Sequence, residues 1–242
     1  KLCADRISDK IWIHHSSDIV TRRVESFIAL TTNQTHQSAI DLRWNLGLPR
    51  DVETMWQLEK PTLESPSAIL IVTDNDLQYV RQRGAVGNFI HFPIFRGAPT
   101  SSVSVEPLNQ LTVGFVGSFL HSPNIDAVQY FLQTTWPTIL KEVPDAKFLI
   151  WGSGLNDDQK SAWSMAPSVE VRGWFATWND VVAETRVLVS PLRFGAGMKH
   201  KVVSNLVHGR PVVGTYISFE GFQTEFLNDT IMTDDPSQMA KS

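Results

Sequence analysis

Cysteine is almost absent from this sequence of 242 residues, in which Cys3 is the only one. A single thiol excludes an internal disulfide and any cysteine metal cluster, which suits a reducing compartment. Basic residues are outnumbered, 21 against 25 acidic ones, and the net charge of −4 gives no general reason to expect nucleic-acid binding. No apolar run has the length of a membrane span. We therefore expect a cytoplasmic protein, with peripheral membrane association as the alternative.

Three well-known catalytic and nucleotide-binding motifs are also missing. The first regular strand of the second half is followed by VGSF, which carries one glycine where a dinucleotide fingerprint needs G-x-G-x-x-G. Neither G-x-x-x-x-G-K-[ST] nor G-x-S-x-G occurs. These absences disfavour an NAD or FAD enzyme, a P-loop NTPase and the usual serine hydrolase.

The segment 96–110, RGAPTSSVSVEPLNQ, is rich in proline, serine and glycine and has little periodicity. Such a composition is typical of a linker. We therefore predict a partial N-terminal α/β domain at 1–98, a linker at 99–110 and a C-terminal domain at 111–242. With 42% hydrophobic residues the chain has enough apolar side chains for two small cores.

Strands and helices are predicted to alternate beyond the linker, which indicates a parallel sheet with helices on both faces. The predicted strands are 111–117, 147–152, 169–173, 187–191, 212–215 and 230–233. The predicted helices are 123–140, capped by Ser122 and bent or split at Pro137, then 157–165 capped by Asn156, 178–185 capped by Thr177, and one that starts near Met198 and stops at Gly209.

The first half has a weaker pattern. We predict strands at 10–14, 67–73 and 89–92, helices at 18–30 and 77–82, and an irregular segment with one or two short helices at 31–60. The first strand ends at His14 and His15 follows it, where ligand groups often lie. His15 is thus a candidate cleft residue, although a surface turn is the alternative.

The Asp74-Asn75-Asp76 sequence resembles the carboxylate pair with which one class of glycosyltransferase holds a divalent metal. It also stands where a helix favours acidic residues in its first turn, and we prefer that interpretation. We predict no metal site and no bound cofactor.

A glycine loop at 195–197 separates the strand 187–191 from the following helix. Such a loop offers unpaired N–H groups and the positive end of a helix dipole to an anion, and Arg193, Lys199 and Lys201 add positive charge around it. The alternative is an ordinary tight turn with solvated lysines. Because ligands gather at the carboxyl edge of a parallel sheet, we expect this loop to meet the strand ends at 117–118 and 152–154.

Several separated motifs together resemble the donor-binding domain of the retaining, two-domain GT-B glycosyltransferases of the large group 1 (GT4-like) family. They are VGFVGSFLHSPNIDAVQYFLQTTWPTI, PDAKFLIWGSG, VEVRGW, VSPLRFGAGMKHKVVSNLVHGRPVVGT and FEGF, and they run in order from 111 towards the C-terminus. The first half resembles, more loosely, part of that family's acceptor domain. The resemblance implies an α/β, GT-B-like fold of two Rossmann-like domains, the N-terminal one incomplete.

The resemblance implies transfer of a sugar from a nucleotide diphosphate donor to a saccharide or other hydroxyl acceptor, without metal, by a hexosyltransferase-type enzyme of polysaccharide or glycan biosynthesis. A glycan or a lipid-linked molecule is the acceptor expected. Arg193 and Lys199 would offset the charge of the leaving group, and His15 would orient or deprotonate the acceptor. The residues implied at the donor are Gly117, Ser118, Gly152, Gly173, Trp174, Gly195, Ala196, Gly197, Met198, Ser204 and Glu220.

The chain departs from the family pattern at three places. Ser204 stands where relatives carry the glutamate of K-x-x-E-A-M-A-x-G, and residues 118–124 contain no cation where many relatives have an arginine and a lysine. Both ends also look shortened, so we expect a fragment or a shortened member. Two alternatives follow from these departures and from the architecture: a catalytically silent binding or scaffolding module, and a sugar-nucleotide epimerase.

Overall fold

The computed structural model describes residues 13–16, 18–33, 51–94, 110–223, 227 and 230–242. Its described residues form two compact units. The first comprises those up to residue 94 together with 194–198, and the second comprises 110–193 and those from 199 onward. The predicted linker at 99–110 lies outside the described residues except for its last position. No helix in the described ranges is both long and apolar enough to cross a membrane.

The first unit contains a three-stranded parallel sheet in the order β1-β2-β3. The strands are β1 (Ile13–Ser16), β2 (Ala68–Ile71) and β3 (Phe89–His91), and the helices are α1 (Val20–Asn33), α2 (Val52–Glu64) and α3 (Asp74–Gln82). The central strand is buried along most of its length, as its sequence AILI predicts. Ile69, Ile71, Leu77 and Val80 form its core with residues of α2.

Helix α2 confirms a helix within the segment 31–60, but it is 13 residues long and continues to Glu64. Asp51 caps it by accepting a hydrogen bond from the Thr54 N–H at 2.7 Å, and Met55, Trp56 and Leu63 form its buried face. Its Glu59 is buried and accepts hydrogen bonds from the N–H groups of Val20 and Thr21 at 2.7 and 2.8 Å. A carboxylate of α2 therefore caps the N-terminus of α1. Val20 and Glu59 are 39 positions apart in the sequence, so the sequence pattern does not predict this contact.

The second unit is built on a six-stranded parallel sheet. Its strands are β4 (Thr112–Val116), β5 (Lys147–Trp151), β6 (Val169–Gly173), β7 (Val187–Ser190), β8 (Val212–Gly214) and β9 (Thr230–Met232). Their order across the sheet is β6-β5-β4-β7-β8-β9. All six predicted strands are confirmed, within one or two residues at each end. The order is that of a doubly wound Rossmann-like fold.

The helices of this unit are α4 (Ser122–Thr134), α5 (Trp136–Glu142), α6 (Asp157–Ser164), α7 (Trp178–Glu184), α8 (His200–Val207) and α9 (Pro236–Lys241), with a 3₁₀ helix at Tyr216–Phe219. Asn156 caps α6 in a capping box with Gln159, as predicted. The predicted helix 123–140 is split into two helices, as its proline predicts, but the break is at Thr135 and Pro137 lies in the first turn of α5. His121 rather than Ser122 is the N-cap residue of α4. Helix α8 begins two residues later than expected.

The core of the second unit lies between the sheet and its helices. Leu149, Leu188 and Val212 from the strands pack with Val181 of α7 and Val202 of α8, all of them buried. Phe131, Trp136 and Phe148 form an aromatic cluster on α4, α5 and β5, with ring centroids 4.8 to 6.2 Å apart. The helices thus pack against the sheet and bury the apolar side chains of its strands.

Candidate functional site

The order of the six strands reverses between β4 and β7, which are hydrogen-bonded neighbours. In open parallel sheets ligands bind at the carboxyl ends of the strands on either side of such a switch point. Within the second unit, residues 117–121 follow β4 and residues 191–193 follow β7. These two connections, together with the start of α8, define the candidate site.

Three of the predicted donor residues lie side by side at the ends of β4, β5 and β6. The Gly152 N–H donates to the Gly173 carbonyl at 2.6 Å, and the Gly117 N–H donates to the Trp151 carbonyl at 3.0 Å. A Cβ on Gly152 would lie 1.7 Å from the Gly117 oxygen, so only glycine fits there. Ser118 continues this edge, whereas Trp174 is 73% exposed beside Gly173. The predicted meeting of the first two glycine turns is therefore confirmed.

The glycine loop has the backbone that its sequence predicts. Gly195 and Gly197 have φ values of 152° and 70°, which disfavour residues with a side chain. Gly195, Ala196 and Gly197 are buried and Met198 is half-buried. The Gly195 N–H donates to the Ser26 Oγ at 3.1 Å. One of the amides that the sequence offers to an anion is thus engaged by a hydroxyl of α1.

Arg193 forms an ion pair that the sequence did not predict. Its Nε donates to Asp126 Oδ2 at 2.9 Å, its Nη2 donates to Asp126 Oδ1, and its guanidinium lies 4.5 Å from the ring centre of Tyr130. Asp126 is almost fully buried on α4. This two-point contact holds the start of the β7–α8 connection to α4. The role of Arg193 toward a donor stays a prediction.

Lys199 and Glu220 are brought together by the fold. Lys199 is the N-cap residue of α8 and Glu220 directly follows the 3₁₀ helix, and the Lys199 Nζ lies 3.6 Å from Glu220 Oε2. Both side chains are less than 10% exposed. A cation and a carboxylate that the sequence assigned separately to the donor therefore form one pair.

Lys201 extends from the first turn of α8 toward β4 and α4. Its Nζ donates to Asn124 Oδ1 at 2.6 Å and lies 4.0 Å from the centre of the Phe115 ring. Burial, and then the nearby charge of Lys199, lower the pKa of Lys201 to about 7. An anion that binds beside this amine would raise its pKa and so favour its protonated form.

Ser204, which replaces the glutamate of the family pattern, is fully buried on α8. Its hydroxyl makes no hydrogen bond with the described residues, while its carbonyl accepts a hydrogen bond from His208 Nδ1 at 2.6 Å. A hydroxyl so enclosed reaches no ligand in this conformation. Its assignment to the donor stays a prediction.

The candidate residues of the first unit are His15 and the acidic residues Asp74 and Asp76. His15 is exposed in the middle of β1, not in a turn after it, because the strand extends to Ser16. The described residues contain no group of three or more potential metal ligands. Asp76 accepts from the Thr73 Oγ1 at 2.8 Å and pairs with Arg22 at 2.8 Å, and Asp74 opens α3. The acidic first turn of α3 thus confirms the preferred interpretation of Asp74-Asn75-Asp76.

Two residues of the site were missed from the sequence. Asn124 and Asp126 lie in the first turns of α4, one contacting Lys201 and the other Arg193. The motif HSPNID, which lies four residues after Gly117 and carries both polar residues, is the signal in the sequence.

Comparison with known families supports the resemblance on which these assignments rest. Residues 110–242 match the family model described as "Glycosyl transferases group 1". No curated protein matches the sequence significantly. The matched segment contains the whole six-stranded sheet of the second unit.

Solved structures of similar fold include TarM, which is 15% identical with a TM-score of 0.65; the match covers 99% of this chain and 49% of that one. Sucrose-phosphate synthase from Thermosynechococcus elongatus is 14% identical with a TM-score of 0.63, covering 98% and 58%. Anabaena HepE in complex with UDP and glucose is 14% identical with a TM-score of 0.57, covering 98% and 61%. The chain therefore spans about half to three fifths of these proteins' length. At such identities they establish the α/β fold, with parallel sheets flanked by helices.

Proposed function

Because the chain belongs to the group 1 glycosyl transferases, we propose that it serves the transfer of a sugar from a nucleotide diphosphate donor to a hydroxyl acceptor. The second unit would hold the donor. The observation that carries this proposal is the coincidence of the family match with the switch point between β4 and β7. Two neighbours of this fold support the choice of donor, since HepE was solved with UDP and glucose and an S. aureus TarM mutant with UDP.

The charges at the switch point suit a diphosphate. Lys199 and Lys201 place two basic side chains at the start of α8, where the helix dipole also favours an anion. In the proposed reaction these cations stabilise the charge that develops on the departing nucleotide diphosphate. Binding of both substrates in a fixed geometry would supply the rest of the rate enhancement.

The glycine loop contributes in a different way. In this structure its Gly195 amide is occupied by Ser26, so a phosphate would compete with a hydroxyl for that donor. A charged phosphate oxygen is a stronger acceptor than a neutral hydroxyl. We therefore propose that donor binding releases this hydrogen bond.

We extend the proposal in line with the family resemblance. The transfer would retain the anomeric configuration, proceed without a bound metal or cofactor, and move a hexose to a saccharide or lipid-linked acceptor in glycan biosynthesis. A location in the cytoplasm or at a membrane surface fits such a reaction. His15 is our candidate for orienting the acceptor hydroxyl.

Donor binding tests the core of the proposal. Thermal unfolding is measured with UDP, GDP and dTDP at millimolar concentration. At least one of them should raise the Tm, because a bound ligand increases the free energy of unfolding by RT ln(1 + [L]/Kd). Lys199→Met should remove the shift, and Lys141→Met, on the exposed surface of α5, should not. The absence of a shift with all three nucleotides would contradict a donor site in this unit.

A catalytically silent binding module is the second candidate. Two observations favour it: the enclosed hydroxyl of Ser204 replaces a carboxylate, and the glycine loop is buried in this structure. Release of free nucleotide diphosphate from a sugar nucleotide would exclude it. Binding without release would support it, and isomerisation of the sugar nucleotide without release would instead indicate an epimerase.

A further inference from the structure

Lys201 occupies a place in the second unit that its sequence position does not predict. It belongs to α8, which follows β7, yet its ammonium lies over Phe115 of β4 and beside Asn124 of α4. The connection after β4 contains no lysine or arginine between residues 118 and 124, and His121 is its one titratable side chain. The fold therefore delivers a positive charge from α8 to the strand end that lacks one.

Asn124 fixes the position of this charge. Its Oδ1 accepts from the Lys201 Nζ at 2.6 Å, while its Nδ2 donates to the Ser118 carbonyl at 2.8 Å. Because both ends of the amide are used, its orientation is determined by its partners. A Cβ on Gly117 would lie 2.8 Å from the Asn124 Cγ, so the glycine after β4 leaves room for this side chain. The loop 117–118, Asn124 and Lys201 thus form one hydrogen-bonded connection.

The charged surroundings of Lys201 favour an incoming anion. No carboxylate of the described residues forms an ion pair with it. Its ammonium contacts the neutral Asn124 amide and the face of the Phe115 ring. The charged group that acts on it is Lys199, which is itself paired with Glu220. Lys201 therefore keeps a positive charge, when protonated, that no acidic side chain of these elements neutralises.

We propose that Lys201, oriented by Asn124, is a donor-contacting group and that sugar-nucleotide binding takes up a proton at its Nζ. This inference rests on the proposed function. A pyrophosphate diester carries two negative charges and does not titrate near neutral pH, so the proton comes from solvent and goes to the amine. The bound diphosphate then stabilises the ammonium that burial and Lys199 disfavour.

The direction of the pH effect follows from the free protein. With a pKa of about 7, the side chain is largely protonated below pH 7 and largely neutral above it. Binding that requires the ammonium is strongest on the acid side and weakens as pH rises, by up to about tenfold in Kd per pH unit. The weakening stops at the higher pKa that the ammonium has in the complex.

Calorimetric titration tests this linkage. UDP-glucose, GDP-glucose and dTDP-glucose are titrated at about pH 6 and about pH 8.5 in buffers of different ionisation enthalpy. The wild type should bind one of them more tightly at the lower pH, with proton uptake near neutrality. Lys201→Arg should bind without uptake, because arginine stays charged throughout. Lys201→Met should lose affinity at the lower pH and little at the higher one.

Two further variants complete the test. Asn124→Asp should raise the pKa of Lys201 and so remove most of the proton uptake, and Lys141→Met should behave like the wild type. If Lys201→Met folds and keeps the wild-type pH dependence, the inference is overturned while the proposed function stands. If the wild type binds none of the three sugar nucleotides at either pH, the proposed function fails and the inference fails with it.

Discussion

The Nζ of Lys199 lies 3.6 Å from Oε2 of Glu220, and both side chains are buried in the second unit. The pair joins the start of α8 to the end of the 3₁₀ helix. Removing either partner leaves a buried charge that has lost an opposite neighbour. We expect Lys199→Met and Glu220→Gln each to lower the free energy of unfolding by about 2 to 4 kcal/mol. The double variant should lose less than the sum, by about 1 to 3 kcal/mol.

Urea unfolding followed by circular dichroism measures all three variants of this cycle. Additivity within about 0.5 kcal/mol would mean that Lys199 and Glu220 do not stabilise one another.

The buried ion pair between Arg193 and Asp126 should contribute more to the stability of the protein than an ion pair on the surface does. Asp126→Asn should destabilise the chain by about 3 kcal/mol, because it leaves the enclosed guanidinium without its carboxylate. Glu170→Gln is the matched control, since Glu170 pairs with Lys147 on the surface and should change stability by less than about 1 kcal/mol. Equal effects of the two substitutions in urea unfolding would argue against the buried two-point contact.

Ser204 offers a test of an enclosed hydroxyl. Ser204→Ala removes a group that makes no hydrogen bond with the described residues, so stability should be unchanged or rise by up to about 1 kcal/mol. Ser218 is equally buried but donates to the Ser190 carbonyl. Ser218→Ala should therefore lower stability by about 1 to 2 kcal/mol. The reverse ranking of the two variants would show that Ser204 has a partner in solution.

Ser26 controls one amide of the glycine loop. Ser26→Ala leaves the Gly195 N–H to a ligand, so the affinity for a nucleotide diphosphate should rise, by about threefold to tenfold. Ser161→Ala, on the exposed face of α6, should leave the affinity unchanged. Weaker nucleotide binding by Ser26→Ala in calorimetry would mean that the hydroxyl supports the binding-competent loop.

The ligand-free stability should carry the pH signature of Lys201. Its folded pKa of about 7 is below the unfolded value near 10, so the unfolded chain binds more protons between these limits. Stability from this residue is fully present above the unfolded pKa and is lost as pH falls through the folded one.

Comparison of two variants isolates this contribution. The stability of the wild type relative to Lys201→Met should rise from about pH 7 to about pH 9, by up to about 1 kcal/mol per pH unit. The measurement is urea unfolding at each pH. A constant difference across this range would show that Lys201 keeps an ordinary pKa in the folded protein.

The strands of the second unit followed from local composition. Runs such as KFLIW and VLVS are short and apolar, and a parallel sheet covered on both faces buries such runs whole. The start of α6 was equally local, because Asn156 and Gln159 satisfy each other three residues apart. By contrast, the length of α2 was not predicted, because its buried side chains are spread among polar residues and the helix contains Pro61. A bend or split of the helix 123–140 followed from Pro137, but the break is two residues earlier, at Thr135, because proline is tolerated in the first turn of α5.

The sequence by itself determined the class of the fold, the order of its strands and helices and the glycine turns, because these depend on side chains a few residues apart. Only the tertiary structure decided which charges meet. Arg193 and Asp126 are 67 positions apart, and Lys201 and Asn124 are 77 apart. Such pairs arise where the strand order reverses, which brings α4 and α8 to the same edge of the sheet. Whether a lysine faces solvent, a carboxylate or a neutral amide depends on that packing, and so does its pKa.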